Sequence, residues 1–175
     1  MYYRFISNPQ HPVQTVTEIE KGFSPWDILT GREIAPPEKK PEYQLDAIDI
    51  PLSNGYGHFP LMYENYGLIR QDLFDLIDGL GAKNLQIFDA NINGLNGRED
   101  FPCFVSFNIV GVIDFELLRT LSGSYSEKIV IEPNDSNMIL LDGDDGAGNF
   151  LFHEVLKLQI EAIFPDQVSF KKIGL

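Results

Sequence analysis

The stretch Phe101-Pro102-Cys103-Phe104-Val105-Ser106-Phe107-Asn108-Ile109-Val110 decides how this chain folds. Successive side chains of an extended strand point to opposite faces. Cys103, Val105, Phe107 and Ile109 then share one face, while Phe104 and Val110 lie on the other. That pattern predicts a strand covered on both sides and central in its sheet. Strand-forming runs recur around it at residues 84–92, 102–115, 128–132, 138–141 and 149–152, separated by clusters of Gly, Asn and Asp. The expectation is mostly antiparallel pairing.

Towards the N-terminus, Tyr2-Tyr3-Arg4-Phe5-Ile6 reads as a strand closed by Ser7-Asn8-Pro9. Residues 10–41 carry Pro12, Pro25, Pro36, Pro37 and Pro41 together with Gly22 and Gly31, which leaves room only for a short helix. It is placed at residues 26–30, with Ser24 as N-cap and Pro25 at the first helical position. Residues 43–52 alternate loosely and predict a further strand. Ile69, Leu73, Leu76 and Leu80 recur at helical spacing, with Gly79 or Gly81 as the stop. A second helix is expected over residues 152–164, burying Leu156, Ile160 and Ile163 and ended by Pro165, before a last strand Val168-Ser169-Phe170. No internal repeat is visible. Helices inserted at two places among strands predict an α+β fold, a mostly antiparallel sheet with two main helices, in a single domain over residues 1–175.

Composition supports a packed core: 43% of the residues are hydrophobic, with 13 Phe and 7 Tyr. A chain of 175 residues needs no disulfide or metal to hold such a core. The lone cysteine, Cys103, is expected to be a small buried hydrophobe, in keeping with a reducing cytoplasm. The start of the chain lacks a basic region leading into a long apolar run, so neither a signal peptide nor a membrane span is expected. The net charge of −13, from 26 acidic and 13 basic side chains, would repel phosphate backbones and anionic membranes. It suits a protein that steers onto a basic partner.

Several patterns suggest chemistry. Asp89, Asn91, Asn93, Gly94 and Asp100 nearly reproduce the ligand spacing of a calcium loop. However, a strand precedes them, Pro102 follows, and no Glu stands at the end, so an Asn/Gly-rich hairpin is the competing expectation. Asp142-Gly143-Asp144-Asp145-Gly146 fits that template worse, with Ala147 in place of Gly and His153 in place of Glu, and reads as a tight turn. His11, His58 and His153 lack zinc-ligand spacing. A Cys103–His–Asp nucleophile would need a thiol outside apolar surroundings. No glycine-rich phosphate loop opens either helix. Trp26 is expected to anchor its loop, the alternative being an exposed contact. No catalytic residues, metal ligands or cofactor are expected.

The opening Met1-Tyr2-Tyr3-Arg4, the helix 68–79 followed by Leu85-Gln86-Ile87-Phe88, the strand 104–110 leading into Val112-Ile113-Asp114, and the ending Phe152-His153-Glu154-Val155-Leu156-Lys157 through Val168-Ser169-Phe170 resemble a family of bacterial polymorphic-toxin immunity proteins. His153 stands where that family has a small polar residue. The resemblance implies a cytoplasmic non-enzyme that binds and neutralises a cognate protein toxin in a stoichiometric complex. The toxin's identity and the oligomeric state stay open. Local charge density points to Glu132, Asp135, Asp142, Asp144 and Asp145 as the partner-binding carboxylates. The alternatives are a calcium-binding regulatory module at Asp89 to Asp100, or a small enzyme whose site is assembled from distant residues.

Overall fold

The computed structural model describes residues 1–7, 14–23, 33–47, 59–94, 101–110, 112–113, 139–142 and 149–173. In chain order these form β1 (Tyr2–Ser7), β2 (Val16–Glu20), β3 (Glu42–Leu45), β4 (Met62–Tyr63), β5 (Leu68–Arg70) and helix α1 (Gln71–Gly79). There follow β6 (Leu85–Phe88), β7 (Asn91–Asn93), β8 (Phe104–Ile109), β9 (Val112–Ile113), β10 (Ile139–Asp142), β11 (Asn149–His153), helix α2 (Glu154–Ile163) and β12 (Val168–Lys172). The expected short helix at residues 26–30 and the strand at 128–132 fall outside the described residues. The fold is α+β, with three sheets ordered β12-β1-β11-β10-β9, β2-β3-β7 and β4-β5-β8-β6. Pairing is antiparallel except between β3 and β7 and between β9 and β10.

The sheets reveal a duplication invisible in the residues. In one, β4 pairs with β5, α1 follows, and β5 and β6 both flank β8. In another, β10 pairs with β11, α2 follows, and β11 and β12 both flank β1. Each unit is a strand–helix–strand with a third, antiparallel strand inserted between its two strands. The junctions match as well. Arg70 and His153, the last residues of β5 and β11, are both extended (φ −69°, ψ 136° and φ −64°, ψ 151°) and pass directly into a helix.

β8 behaves as its alternation predicts. Phe107 and Ile109 enter the main core with Ile69, Leu73, Ile77, Phe150, Phe152, Leu156 and Ile160. Phe104, on the opposite face, enters a second core with Val16, Tyr43, Leu45, Phe59 and Leu68 beneath the small sheet. Burying each such side chain contributes about 1.5–3 kcal/mol. Cys103 departs from expectation: it precedes β8 and is exposed, because the chain there has left the sheet. Ile69 also differs. It lies in β5, opposite Val105, and the helix begins only at Gln71. One strand residue, two helix residues and Leu80, just past the helix, had merged into one apparent stripe. The helix ends at Gly79, and Gly81, with φ 85°, makes the turn by donating its N–H to the Asp78 carbonyl at 2.8 Å.

Amide side chains bind backbone groups beside and between the sheets. The Asn84 amide donates to the Ile139 carbonyl, which ties the start of β6 to β10. Gln86 accepts from the Ile34 N–H at 2.9 Å and donates to the Ile34 carbonyl at 3.1 Å, imitating a strand partner. Gln44 donates to the Asn93 and Gly94 carbonyls at 3.1 and 3.2 Å. These bonds satisfy backbone groups that burial would otherwise penalise.

Candidate functional site

Helix α2 starts where β11 ends. The His153 ring accepts the Val155 N–H at 3.4 Å, and Glu154 places a carboxylate in the first turn, where the helix dipole favours it. Leu156 and Ile160 turn inward and are fully buried, and Phe164, one residue past the helix, is buried too. The outward side carries Val155, Leu158 and Ile163, 45%, 55% and 54% exposed, with Ala162 and the polar Gln159 exposed among them. Val155, Leu158 and Ala162, spaced i, i+3 and i+7, form an apolar row, which Gln159 separates from Ile163. Ile163 was expected on the buried face. Phe164 takes that place because the chain leaves the helix there, its N–H still bonded to the Ile160 carbonyl at 2.8 Å.

On the side of β1 and β12, Lys157 forms an ion pair with Glu161 and lies 5.1 Å over the Tyr3 ring and 5.8 Å over Phe170. Glu154 accepts from the Tyr3 hydroxyl at 3.2 Å. On the other side stands α1, which touches α2 and packs into the same core through Leu73 and Ile77. Its exposed face carries Asp72, Asp75 and Asp78. Asp72 is held by Arg70, and Asp75 accepts from Gln71 at 2.7 Å.

The structure places the sequence-derived candidates elsewhere or leaves them undescribed. Asp142 ends β10 with its backbone paired to Asn149, while Glu132, Asp135, Asp144 and Asp145 lie outside the described residues, as do Asp100, His11, His58 and Trp26. The first ligand positions of the calcium pattern sit on unsuitable structure. Asn91 to Asn93 form β7, and Asn93 donates its amide to Glu42 at 2.6 Å. Asp89, 88% exposed, faces Lys40 at 3.6 Å. Across this segment β6 pairs antiparallel with β8, as the competing hairpin requires, with β7 in the connection running parallel to β3 and residues 95–100 outside the described residues. No group of three or more His, Cys, Asp or Glu able to hold a metal occurs among the described residues.

A cleft of about 290 Å³ lies between β7 and residues 101–104, lined in part by Ile92, Phe101, Cys103 and Phe104. Among the described residues that line it, Cys103 is the one ionisable side chain, with neither a histidine nor a carboxylate beside it. The exposed apolar residues of α2 were missed because helix prediction seeks one apolar face and stops when it finds it. The available signal was an excess: Val155, Leu158, Ala162 and Ile163 in addition to the two residues the core needs. No protein-family model matches the chain, and no curated protein matches it. No helix among the described residues is long and apolar enough to cross a membrane.

Proposed function

We propose that this protein acts by binding: it captures a bacterial protein toxin in a stoichiometric complex in the cytoplasm and neutralises it without turnover. The observation that carries this reading is the exposure of Val155, Leu158, Ala162 and Ile163 around Gln159 on the outward side of α2. Exposed apolar surface among polar residues is the usual anatomy of a protein-binding face. The net charge of −13 adds long-range steering towards a basic partner. The resemblance of the opening, middle and closing segments to toxin-immunity proteins supplies the kind of partner. The acidic segment that includes Glu132, Asp135, Asp142, Asp144 and Asp145 would add to the steering field.

Co-expression tests the reading. A toxin-like C-terminal segment encoded beside this gene is expressed in a bacterial host with and without this protein. Survival together with a co-purifying complex is the expected outcome. Killing that this protein does not relieve would remove the toxin from the reading.

A further inference from the structure

We infer that the cleft between β7 and residues 101–104 takes an extended peptide segment of a partner protein, which adds as a strand between the facing edges of β7 and β8. The inference goes beyond the toxin reading and does not depend on it. The backbone ladders show how the cleft arises. On β8 the Phe107 N–H reaches the Gly67 carbonyl and the Cys103 carbonyl accepts the Gln71 N–H, both at 2.8 Å, so the odd-numbered residues bond towards β5. The even-numbered residues face the other way and bond to β6, with Asn108 opposite Gln86 and Ser106 opposite Phe88. Phe104 is next in that ladder, and a continued β6 would set Ala90 opposite it. The chain turns away instead: Asn91 donates to the Pro41 carbonyl at 2.9 Å, and Asn91–Asn93 pair with β3 in the small sheet. In this parallel ladder Asn91 and Asn93 direct their backbone groups to β3, which turns the N–H and carbonyl of Ile92 to the opposite edge.

Two strand edges therefore border the cleft, Ile92 on one wall and Phe104 on the other. Among the described residues, no hydrogen bond meets the backbone N–H or carbonyl of either. Phe104 is 4% exposed, so water reaches its peptide groups poorly, and buried peptide groups are nearly always paired. An extended chain brings donors and acceptors to both edges at once, the mode by which peptides add to open sheets. A small apolar ligand fills the space and leaves those groups unmet. β7 contributes three residues, about 10 Å of strand, so the seated segment is short. Ile92, Phe101, Pro102 and Phe104 make the walls apolar and favour β-branched or aromatic side chains in it. The net charge of −13 and the exposed Asp89 beside β7 favour basic residues flanking it.

The test titrates the intact protein with two labelled peptides about nine residues long, alternating Val/Thr and Phe/Thr between paired lysines, followed by anisotropy. Each is also made with every second backbone nitrogen methylated, in both phases, which strips the N–H groups from one edge at a time. Binding of at least one parent peptide is expected, with a loss of about tenfold or more for its methylated form in either phase, and slower labelling of the Cys103 thiol in the complex. Ile92→Pro removes a cleft-facing N–H that β3 does not use and should cost a comparable factor. Circular dichroism checks its folding. Cys103→Trp, which narrows the cleft from an exposed position, serves if the proline variant does not fold. Leu158→Asp changes an exposed apolar residue on α2 and should leave binding unchanged. Binding that survives methylation in either phase, equal losses from the Leu158 and Ile92 changes, no binding of either peptide, or a homodimer that Ile92→Pro dissociates would each overturn the inference.

Discussion

The guanidinium of Arg70, at the threshold of α1, lies 5.3 Å over the ring of Phe164, just past the end of α2. The same group donates to Asp72 through two bonds of 2.7 and 2.9 Å, to Gln167 at 2.8 Å and to the Phe59 carbonyl at 3.3 Å. One side chain, 3% exposed, therefore joins the start of one helix to the end of the other and to the chain entering the sheet. The start of α1 and the end of α2 keep their relative placement through this joint.

Removing Arg70 should cost stability in a way that its charge partner does not dictate. Asp72 is 48% exposed and regains water when the arginine is lost, so the full penalty of an orphaned buried charge does not apply. The cost comes from the Phe59 carbonyl, the Gln167 amide and the void beside Phe164. Arg70→Ala is expected to destabilise by about 2–3 kcal/mol. Arg70→Lys should recover under half of that, because an ammonium lacks the planar fork. Urea denaturation measures both, and a loss below about 1 kcal/mol for the alanine variant would show that the joint is not structural.

Gln86 makes a sharper local prediction. Its amide brackets the N–H and carbonyl of Ile34 and also accepts from Asn108 at 2.7 Å. Gln86→Leu keeps the volume and removes all three bonds. The Ile34 amide should then exchange with solvent at least about tenfold faster, a change of about 1.4 kcal/mol in local opening. Hydrogen exchange at Ile34 reads this directly, and unchanged protection would mean that the segment is held by packing instead.

The sequence conveyed the fold class because alternation and helical spacing report burial, and burial is what β8, α1 and α2 chiefly express. It did not convey the paired strand–helix–strand units, since topology depends on which strand enters between two others, and Tyr2 to Ser7 share no motif with Phe104 to Ile109. It misplaced Ile69 and Ile163 for one reason: both sit next to a helix end, where apolar periodicity continues although the backbone conformation or the facing surface has changed. The exposed apolar residues of α2 could have been found, since a helix with more apolar residues than one face can bury must expose the rest. The acidic loops drew attention instead because carboxylates resemble ligands in any pattern.

Cys103 gives a direct check on the departure from the β8 pattern. It is exposed one residue before β8 begins, and its backbone carbonyl accepts the Gln71 N–H at 2.8 Å, so the residue is held in place while its side chain faces outward. A thiol-specific reagent should label the native protein completely, at a rate within about tenfold of the urea-unfolded chain. Protection by several orders of magnitude would instead place the thiol in the core. Cys103→Ser should cost little, below about 0.5 kcal/mol, as befits an exposed site.

Glu64 provides the pH-dependent signature of the folded state. It opens the 3-10 turn of Glu64 to Tyr66, which Gly67 closes at φ 60°, and burial pushes its carboxyl above the usual glutamate range. A raised acid binds its proton more tightly in the folded than in the unfolded state. Its stabilising contribution is thus fully present below the unfolded glutamate pKa and is lost as pH rises through the higher folded one. Glu64→Gln keeps the shape and removes the titration. The variant and the parent should have nearly parallel stability near pH 4 and below, and the variant should become the more stable as pH approaches 7. Taking the difference between the two proteins cancels the background of a chain with net charge −13, whose self-repulsion also grows with pH. Urea midpoints at a series of pH values supply the curve. A difference that stays constant with pH, or that favours the parent at neutral pH, would mean that Glu64 is as well solvated in the fold as in the unfolded chain.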